Sequence, residues 1–311
     1  MKTRAMKKNK TAWMMRSLTD LSDVALRHIF RFLCSHPLAA TEGGSVRLAR
    51  VARAATVELA AARFGITVDP APGCVWLLVV QEGLAGPGGV GLAVDSCHGL
   101  LVDARGRACG WGIGYRCGLQ GDVAVPQVIA SLAAEQVVCV AAGLYYSLFV
   151  TAKGVLYSVG KNTAGQLGLV DVEVGWNSTV TVPRRVAIDG FVTTACAGDQ
   201  HSAAITGEGS LWVWGRNAEG QLGLADKEDR TVPTAVTGSF EKATMIAAGI
   251  HVTLAIDADG KVWKSGQLFL EPESTTFTRV QFPDTPGLPV GVSCAYMHAV
   301  VWTAEGRLFT W

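Results

Sequence analysis

The chain has 311 residues, of which 49% are apolar and 17% are charged, and its formal net charge is +1. This balance predicts a folded chain rather than a disordered one. The near-zero charge gives no support to bulk binding of nucleic acid or of membrane surfaces. The 36 glycines exclude a helical bundle, because glycine is unfavourable inside helices. They fit an all-β chain with many tight turns.

Residues 1–16 form a basic segment, which we predict to be a solvated, disordered tail. Its charges come from Lys2, Arg4, Lys7, Lys8 and Lys10. We expect nucleic acid to bind only weakly, and only through this tail. The apolar stretch that follows is too short for a secretory signal. We therefore expect an intracellular protein, cytoplasmic or nuclear, with no membrane contact.

Residues 17–65 carry two amphipathic patterns that predict a small helical segment. The first, LSDVALRHIFRFL, begins at Leu21, and the second contains RLARVARAA. Both resemble the F-box family, although Ser22 stands where that family usually has proline. The resemblance implies docking of a Skp-type adaptor by a helix-in-groove contact. The residues concerned would be Leu21, Leu26, Ile29, Phe30 and Leu33. The alternative is a pair of helices packed on the next domain.

Residues 66–90 read as a linker or a degenerate first strand, and residues 91–311 contain a repeat. Five segments share a strand, a short turn with glycine and a second strand. Their turn glycines recur 46 to 55 residues apart and are Gly106, Gly154, Gly209, Gly260 and Gly306. Four short strands in each unit of about fifty residues describe a blade of a β-propeller. The chain holds about four and a half such blades.

Two glycine-rich strings, VGKNTAGQLGL (159–169) and WGRNAEGQLGL (214–224), suggest either a phosphate-binding loop or a structural repeat. A phosphate loop needs Gly-Lys-Ser/Thr and a following helix, and neither copy has them. We therefore interpret the strings as strand ends and turns of two blades. The predicted structural residues are Gly154, Gly160, Gly165, Gly168, Gly209, Gly215, Gly220, Gly223 and His201.

The segments AGDQHS, GEGSLWVWGRNAEGQLGL and TVP together resemble repeats of the regulator of chromosome condensation family. The resemblance extends from about Gly91 to Trp311 and is strongest in the second and third units. It implies a closed, seven-bladed propeller. Since the last unit stops in mid-blade, we expect that this chain lacks C-terminal blades.

Three histidines, His98, His201 and His298, occupy equivalent positions in three units, while Tyr146 and Val252 occupy this position in the other two. Equivalent positions surround the propeller axis, so a metal cluster has to be considered. The substitutions argue against one, and we expect histidines that bond neighbouring loop backbone. We expect the tryptophans to pack in the core and the cysteines to stay reduced. The Val-Pro pairs suggest a proline at the start of each outer strand.

No catalytic, cofactor-binding or metal-ligating set has convincing spacing, so the sequence predicts a non-enzymatic protein-interaction scaffold. The family resemblances imply the substrate receptor of a cullin-type ubiquitin ligase, with the propeller loops binding substrate. The alternatives are a guanine-nucleotide exchange factor for a Ran-like small GTPase and a chromatin-binding propeller.

Overall fold

The computed structural model describes residues 91–310, except for Ser96, Ala104, Ser239 and residues 269–271, 283–286 and 296–297. These residues form five antiparallel sheets in chain order. Helix is limited to α1 (Gly114–Cys117) and one turn of 3-10 helix (Ala130–Leu132). The predicted all-β propeller is confirmed.

Four sheets have four strands and the fifth has three, each in sequential order. Blade 1 contains β1 (Leu92–Val94), β2 (His98–Val102), β3 (Ala108–Gly112) and β4 (Val123–Val128). Blade 2 contains β5 (Val137–Ala142), β6 (Tyr146–Thr151), β7 (Leu156–Lys161) and β8 (Thr179–Arg185). Blade 3 contains β9 (Val192–Ala197), β10 (His201–Thr206), β11 (Leu211–Gly215) and β12 (Arg230–Ala235). Blade 4 contains β13 (Ala243–Ala248), β14 (Val252–Asp257), β15 (Val262–Gly266) and β16 (Ser274–Arg279). Blade 5 contains β17 (Pro289–Ala295), β18 (His298–Thr303) and β19 (Leu308–Thr310).

The second strand of each central blade is buried along its whole length. Every residue of β6, β10 and β14 is buried, because both faces of these strands are covered by neighbouring blades. Their sequences are accordingly apolar or small rather than alternating. The fourth strands β8, β12 and β16 are largely half-buried or exposed. The hydrophobic core therefore lies between consecutive blades, where Phe149, Trp214 and Ala255 belong to three successive clusters.

The turns between second and third strands lie on one side of the propeller, which we call the turn face. On this face the residue that begins each following blade donates its amide to the turn glycine of the preceding blade. The bonds are Val137 N to Gly106 O (2.7 Å), Val192 N to Gly154 O (3.0 Å) and Ala243 N to Gly209 O (2.8 Å). Blade 5 begins with Pro289, which has no amide hydrogen to donate. We call the interface between two consecutive blades a seam and number the seams in chain order. The fourth seam, between blades 4 and 5, therefore lacks this bond.

The expectation that proline starts each outer strand is wrong. Pro126, Pro183 and Pro233 lie within β4, β8 and β12. In each case the third and fourth strands lose their regular pairing beside the proline. In blade 2, for example, the register shifts between Ser158 and Gly160. A missing amide hydrogen is tolerated at such an irregularity on an edge strand.

The described residues form five blades, not the seven that the family resemblance implies. Each complete blade takes about fifty residues, and residues 91–310 form four blades of four strands and a fifth of three strands. The tail at 1–16, the F-box-like segment at 17–65 and the linker at 66–90 lie outside the described residues. In the part that is described, helices of the length and apolar character needed to cross a bilayer are absent.

Candidate protein-binding face

Opposite the turn face, each blade carries the loop between its first and second strands and the loop between its third and fourth strands. We call this side the loop face. Hydroxyl groups hold it together at three seams: each second-strand hydroxyl lies close to a loop carbonyl of the preceding blade. Ser147 Oγ lies 2.6 Å from Arg116 O, Ser202 Oγ lies 2.8 Å from Gln166 O, and Thr253 Oγ1 lies 2.7 Å from Gln221 O.

The residue at the start of each second strand completes these contacts. His98 Nε2 lies 3.0 Å from Ser147 Oγ, and His201 Nε2 lies 2.9 Å from Thr253 Oγ1. Because each hydroxyl donates to a carbonyl, it accepts a hydrogen bond from the imidazole, which must be the neutral Nε2–H form. Between them, Tyr146 Oη donates to His201 O at 2.5 Å. Each histidine thus contacts a side-chain hydroxyl of the next blade, and it also contacts the backbone of that blade, at Tyr146 for His98 and at Val252 for His201.

Burial keeps both histidines neutral. Burial and, as the second cause, the nearby Arg116 cation lower the pKa of His98 to about 3. Burial is also the main cause that lowers the pKa of His201 to about 4, with His251 adding to the effect. His298, in the same position of blade 5, is more exposed, and its pKa is lowered by partial burial. The three histidines thus differ in environment and do not form one set.

The fourth seam has a different chemistry on this face as well. Val252 stands in the histidine position, and Ala299 stands in the hydroxyl position of blade 5. Both pack with Leu268 in an apolar cluster. The first three seams are therefore polar and hydrogen-bonded, whereas the fourth is apolar.

Replacing Thr253 by valine tests the seam hydroxyls. The valine keeps the shape but leaves His201 Nε2 and Gln221 O without their shared partner, so we expect the free energy of unfolding to fall by about 2 kcal/mol. Urea unfolding at pH 7 measures this. Thr234→Val is the matched control, because Thr234 Oγ1 bonds only to Val232 O of its own strand. Equal losses in the two variants would contradict a special role for the seam.

Two asparagines shape the loops that rise from this face, a role that sequence reasoning missed. Asn217 Oδ1 accepts the amide of Leu222 at 2.9 Å, and its Nδ2 donates to Asp226 O at 3.0 Å. Asn162 makes the corresponding contacts in blade 2, with the amide of Leu167 and the carbonyl of Glu173. The signal was present, because both asparagines stand at the same place in the two glycine-rich strings.

An acid–histidine cluster lies on the loop face between blades 3 and 4. Arg216 Nη2 lies 3.2 Å from Glu219 Oε1, and His251 Nδ1 lies 3.2 Å from Glu219 Oε2. Asp199 and Ile250 join Arg216 and His251 in lining a small cleft. Burial raises the pKa of Asp199, which the neighbouring His251 partly offsets. The cleft thus presents the Asp199 carboxyl, whose pKa is raised, beside the Arg216 guanidinium.

A cation–tyrosine cluster lies on the same face between blades 1 and 2. The Arg116 guanidinium carbon lies 4.6 Å from the centre of the Tyr145 ring and 5.7 Å from that of Tyr115. Lys161 Nζ lies 5.8 Å from the Tyr115 ring centre and donates to Trp176 O at 3.0 Å. Trp176 itself is 74% exposed. Aromatic side chains and cations of this kind are enriched where proteins bind other proteins.

Sequence comparison identifies the repeat. The profile of the regulator of chromosome condensation (RCC1) repeat matches residues 153–205 and 208–256, and a second profile of the same repeat matches residues 192–221. Residues 153–205 and 208–256 therefore resemble RCC1 repeats. The matches cover the end of blade 2, blade 3 and the start of blade 4, where the two glycine-rich strings lie.

Curated relatives resemble a larger part of the chain. The ultraviolet-B receptor UVR8 of Arabidopsis thaliana is 32% identical over 219 residues, which are 65% of this chain and 47% of that protein. The E3 ubiquitin-protein ligase HERC2 of Homo sapiens is 30% identical over 251 residues, which are 74% of this chain and 5% of the ligase. The chain thus spans about half the length of the first relative and a small part of the second.

Solved structures share the fold. Human WBSCR16 superimposes with a TM-score of 0.62 at 23% identity, over 71% of this chain and 60% of that one. Prp20p of Saccharomyces cerevisiae, whose structure was described together with its binding to Gsp1p and histones, gives a TM-score of 0.60 at 21% identity, over 71% of this chain and 55% of that one. At these identities the likeness establishes the propeller fold.

The predicted structural glycines fall into four places. Gly154 and Gly209 lie in turns on the turn face. Gly215 ends its third strand and Gly160 is the penultimate residue of its third strand, and both lie against the residue that begins the second strand. Gly165 and Gly220 pack on the outer strand of the next blade, and Gly168 and Gly223 pack on Trp214 and Phe277. All eight have a positive φ. The ninth residue of that prediction, His201, lies in the third seam.

Other sequence predictions have mixed outcomes. Trp111 and Trp214 are buried, whereas Trp212, Trp263 and Trp302 are half-buried. The six cysteines in the described range are free thiols, three of them buried. No group of three or more metal-ligating side chains occurs among the residues described. The adaptor-binding candidates Leu21, Leu26, Ile29, Phe30 and Leu33 lie outside them.

Proposed function

We propose that the protein is a non-enzymatic interaction scaffold that binds protein partners through the loop face. The observation that carries this proposal is the exposed apolar loop between β7 and β8, where Val170, Val174 and Trp176 point away from the core. Large exposed apolar side chains on a rigid scaffold are typical of recognition sites. The cation–tyrosine cluster adjoins this loop, because Lys161 Nζ donates to Trp176 O.

The seams support the proposal because they fix the loops. In blades 1 to 3 the loop between third and fourth strands is bonded through a backbone carbonyl to the next blade. In blades 2 and 3 an asparagine also closes the loop. The loops differ in sequence, but the same type of contact fixes the base of each of these three loops. Such a surface binds without large rearrangement, which limits the entropic cost of association.

Chemical cross-linking to a partner tests which face binds. The full chain is cross-linked through its lysines to the proteins that co-purify with it, and the linked lysines are identified by mass spectrometry. We expect partner links at Lys161 and Lys227, whose loops lie on the loop face. Lys153, Lys242 and Lys261 on the turn face serve as internal controls. Links concentrated on the turn-face lysines would overturn the proposal.

The identity of the partner separates the narrower roles. As a substrate receptor of a cullin-type ubiquitin ligase, the chain would bind a Skp-type adaptor through Leu21, Leu26, Ile29, Phe30 and Leu33. We expect Ile29→Ala/Phe30→Ala to lose that adaptor and to keep the loop-face links. Failure to recover any adaptor, even at low salt, would remove this role and leave the scaffold.

The second candidate is nucleotide exchange on a Ran-like small GTPase, favoured by the likeness to Prp20p, whose binding to Gsp1p has been described. A nucleotide-release assay decides between the two roles. An unchanged release rate in the presence of excess protein would exclude exchange. Binding of chromatin through the basic tail would instead weaken steeply with salt.

A further inference from the structure

One position in blade 1 departs from the repeat in a chemically important way. The loop between β3 and β4 has Arg116 where the RCC1 repeats of blades 2 and 3 have Gln166 and Gln221. All three residues offer their backbone carbonyl to the next blade. The glutamine side chains also close their own loops, since Gln166 Oε1 accepts the amide of Ala164 at 2.8 Å. A guanidinium cannot accept a hydrogen bond, so the Arg116 side chain has another role.

The Arg116 side chain is held in place on several sides. The residue is only 6% exposed, and its Nη1 donates to Leu144 O at 2.9 Å. The guanidinium stacks near Tyr145, and Nε lies 3.4 Å from Tyr115 Oη. Nη2 has no hydrogen-bond partner among the described residues, and it is not enclosed. The two N–H groups of Nη2 on this positioned cation are therefore left free on the loop face.

No carboxylate compensates this charge within the part of the chain that is described. Asp122, in the same loop, uses Oδ1 to accept the amide of Gly114 at 3.0 Å and makes no ion pair with Arg116. Lys161, on the other side of Tyr115, adds a second cation whose amine donates to a carbonyl. By contrast, four other arginines form ion pairs, namely Arg107, Arg184, Arg216 and Arg230. A buried charge without a counter-charge is costly, and such exceptions to local rules are expected at functional sites.

We propose that Arg116 is a receptor for the side-chain carboxylate of an aspartate or glutamate supplied by a protein partner. The carboxylate accepts from Nη2 and lies between the Tyr115 and Tyr145 rings, beside the Lys161 amine. This extends the proposed function, because it names the chemistry that the loop face recognises. A carboxylate suits the site better than a phosphate does, since the two N–H groups of one nitrogen match two carboxylate oxygens but cannot satisfy three phosphate oxygens.

Restoring the repeat residue tests this assignment. The probe is N-acetylglutamate N-methylamide, titrated into the full chain while the Nε–Hε resonance of Arg116 is followed by NMR; the matching glutamine compound is the neutral control. We expect a saturable shift with the glutamate compound and none with the glutamine compound. We expect Arg116→Gln to bind the probe at least ten-fold more weakly, measured by calorimetry, with an unchanged or higher melting temperature.

Other outcomes would overturn the assignment. Unchanged probe affinity in Arg116→Gln, or saturation by inorganic phosphate and not by the glutamate compound, would exclude a carboxylate receptor at Arg116. Arg184→Gln is the matched control, because Arg184 already pairs with Asp171, and we expect it to keep full probe affinity. If Arg116→Gln fails to fold, Arg116→Lys replaces it; retention of full affinity by this variant would contradict a role for the guanidinium fork.

This test is separate from the test of the proposed function. Probe binding is measured on the isolated chain, whereas the cross-linking experiment reports which face meets a partner. Loop-face links together with no probe binding would remove only the carboxylate assignment. Probe binding together with links on the turn face would remove the proposed docking surface and keep a carboxylate site.

Discussion

Lowering the pH from 7 to 5 is expected to reduce the free energy of unfolding by about 4 kcal/mol, about 2 kcal/mol from each of two buried histidines. Burial lowers the pKa of His98 to about 3 and that of His201 to about 4, from a normal value of 6.5. Below pH 6.5 these two histidines are therefore protonated in the unfolded chain while they stay neutral in the folded chain. Stability is complete above about pH 7 and is lost as the pH falls towards these lowered values.

Urea unfolding at half-unit steps between pH 7.5 and 5 measures this loss. Glutamine in place of both histidines keeps a donor for Ser147 and Thr253 and has no charge to gain. We expect the double variant His98→Gln/His201→Gln to lose most of the slope, although it starts from a lower stability. Asp199 works in the opposite direction, because burial raises its pKa and acid relieves that cost. An equally steep slope in the double variant would show that other groups carry the pH dependence.

Replacing Gly168 by alanine is expected to lower the free energy of unfolding by about 3 kcal/mol, because a strained backbone and a steric overlap add together. Gly168 has a φ of +67°, and an added Cβ would lie 2.8 Å from Trp214 Nε1. The indole cannot retreat, since it is fully buried and Nε1 donates to Gln166 O at 2.8 Å. The substitution therefore damages the seam between blades 2 and 3.

Gly238→Ala separates the two causes. Gly238 has a similar φ of +82°, but no atom lies within 4 Å of an added Cβ. We expect this control to cost only about 1 kcal/mol, the conformational part alone. Thermal and urea unfolding of both variants at pH 7 give the comparison. Equal losses would mean that backbone conformation, and not contact with Trp214, explains the glycine in the motif.

The architecture could be predicted from sequence because its signal is repeated. A turn glycine recurs about every fifty residues in five copies, and the GQLG string occurs in two of them. Each copy therefore supports the same assignment of strands and turns. The buried second strands were also predictable, since His201–Thr206 contains no charge. Proline positions were misjudged because a register shift inside an edge strand has no sequence signature of its own.

The seam contacts were missed for a different physical reason. Ser147, Ser202 and Thr253 are small residues that fit anywhere in a buried strand, and their partners are carbonyls, which every residue has. Only an alignment of the five copies by column brings out the hydroxyls, and it shows Gly99 and Ala299 in the same column. Arg116 was missed because the first copy of the motif has diverged in sequence. Without the structural contacts of its residues, a divergent copy cannot be told from one that has simply lost the motif.

The apolar fourth seam has a consequence for how the chain comes apart. In a linear array of units, stability is a sum of the units and of the interfaces between neighbours, so the array opens first at the interface with the fewest directional contacts. Pro289 removes one hydrogen bond from that interface, and Val252 and Ala299 remove two more, from imidazole to hydroxyl and from hydroxyl to carbonyl. We therefore expect blades 1 to 4 to unfold as one cooperative unit. We expect the amide hydrogens of blade 5 to exchange with solvent faster than those of blades 1 to 4.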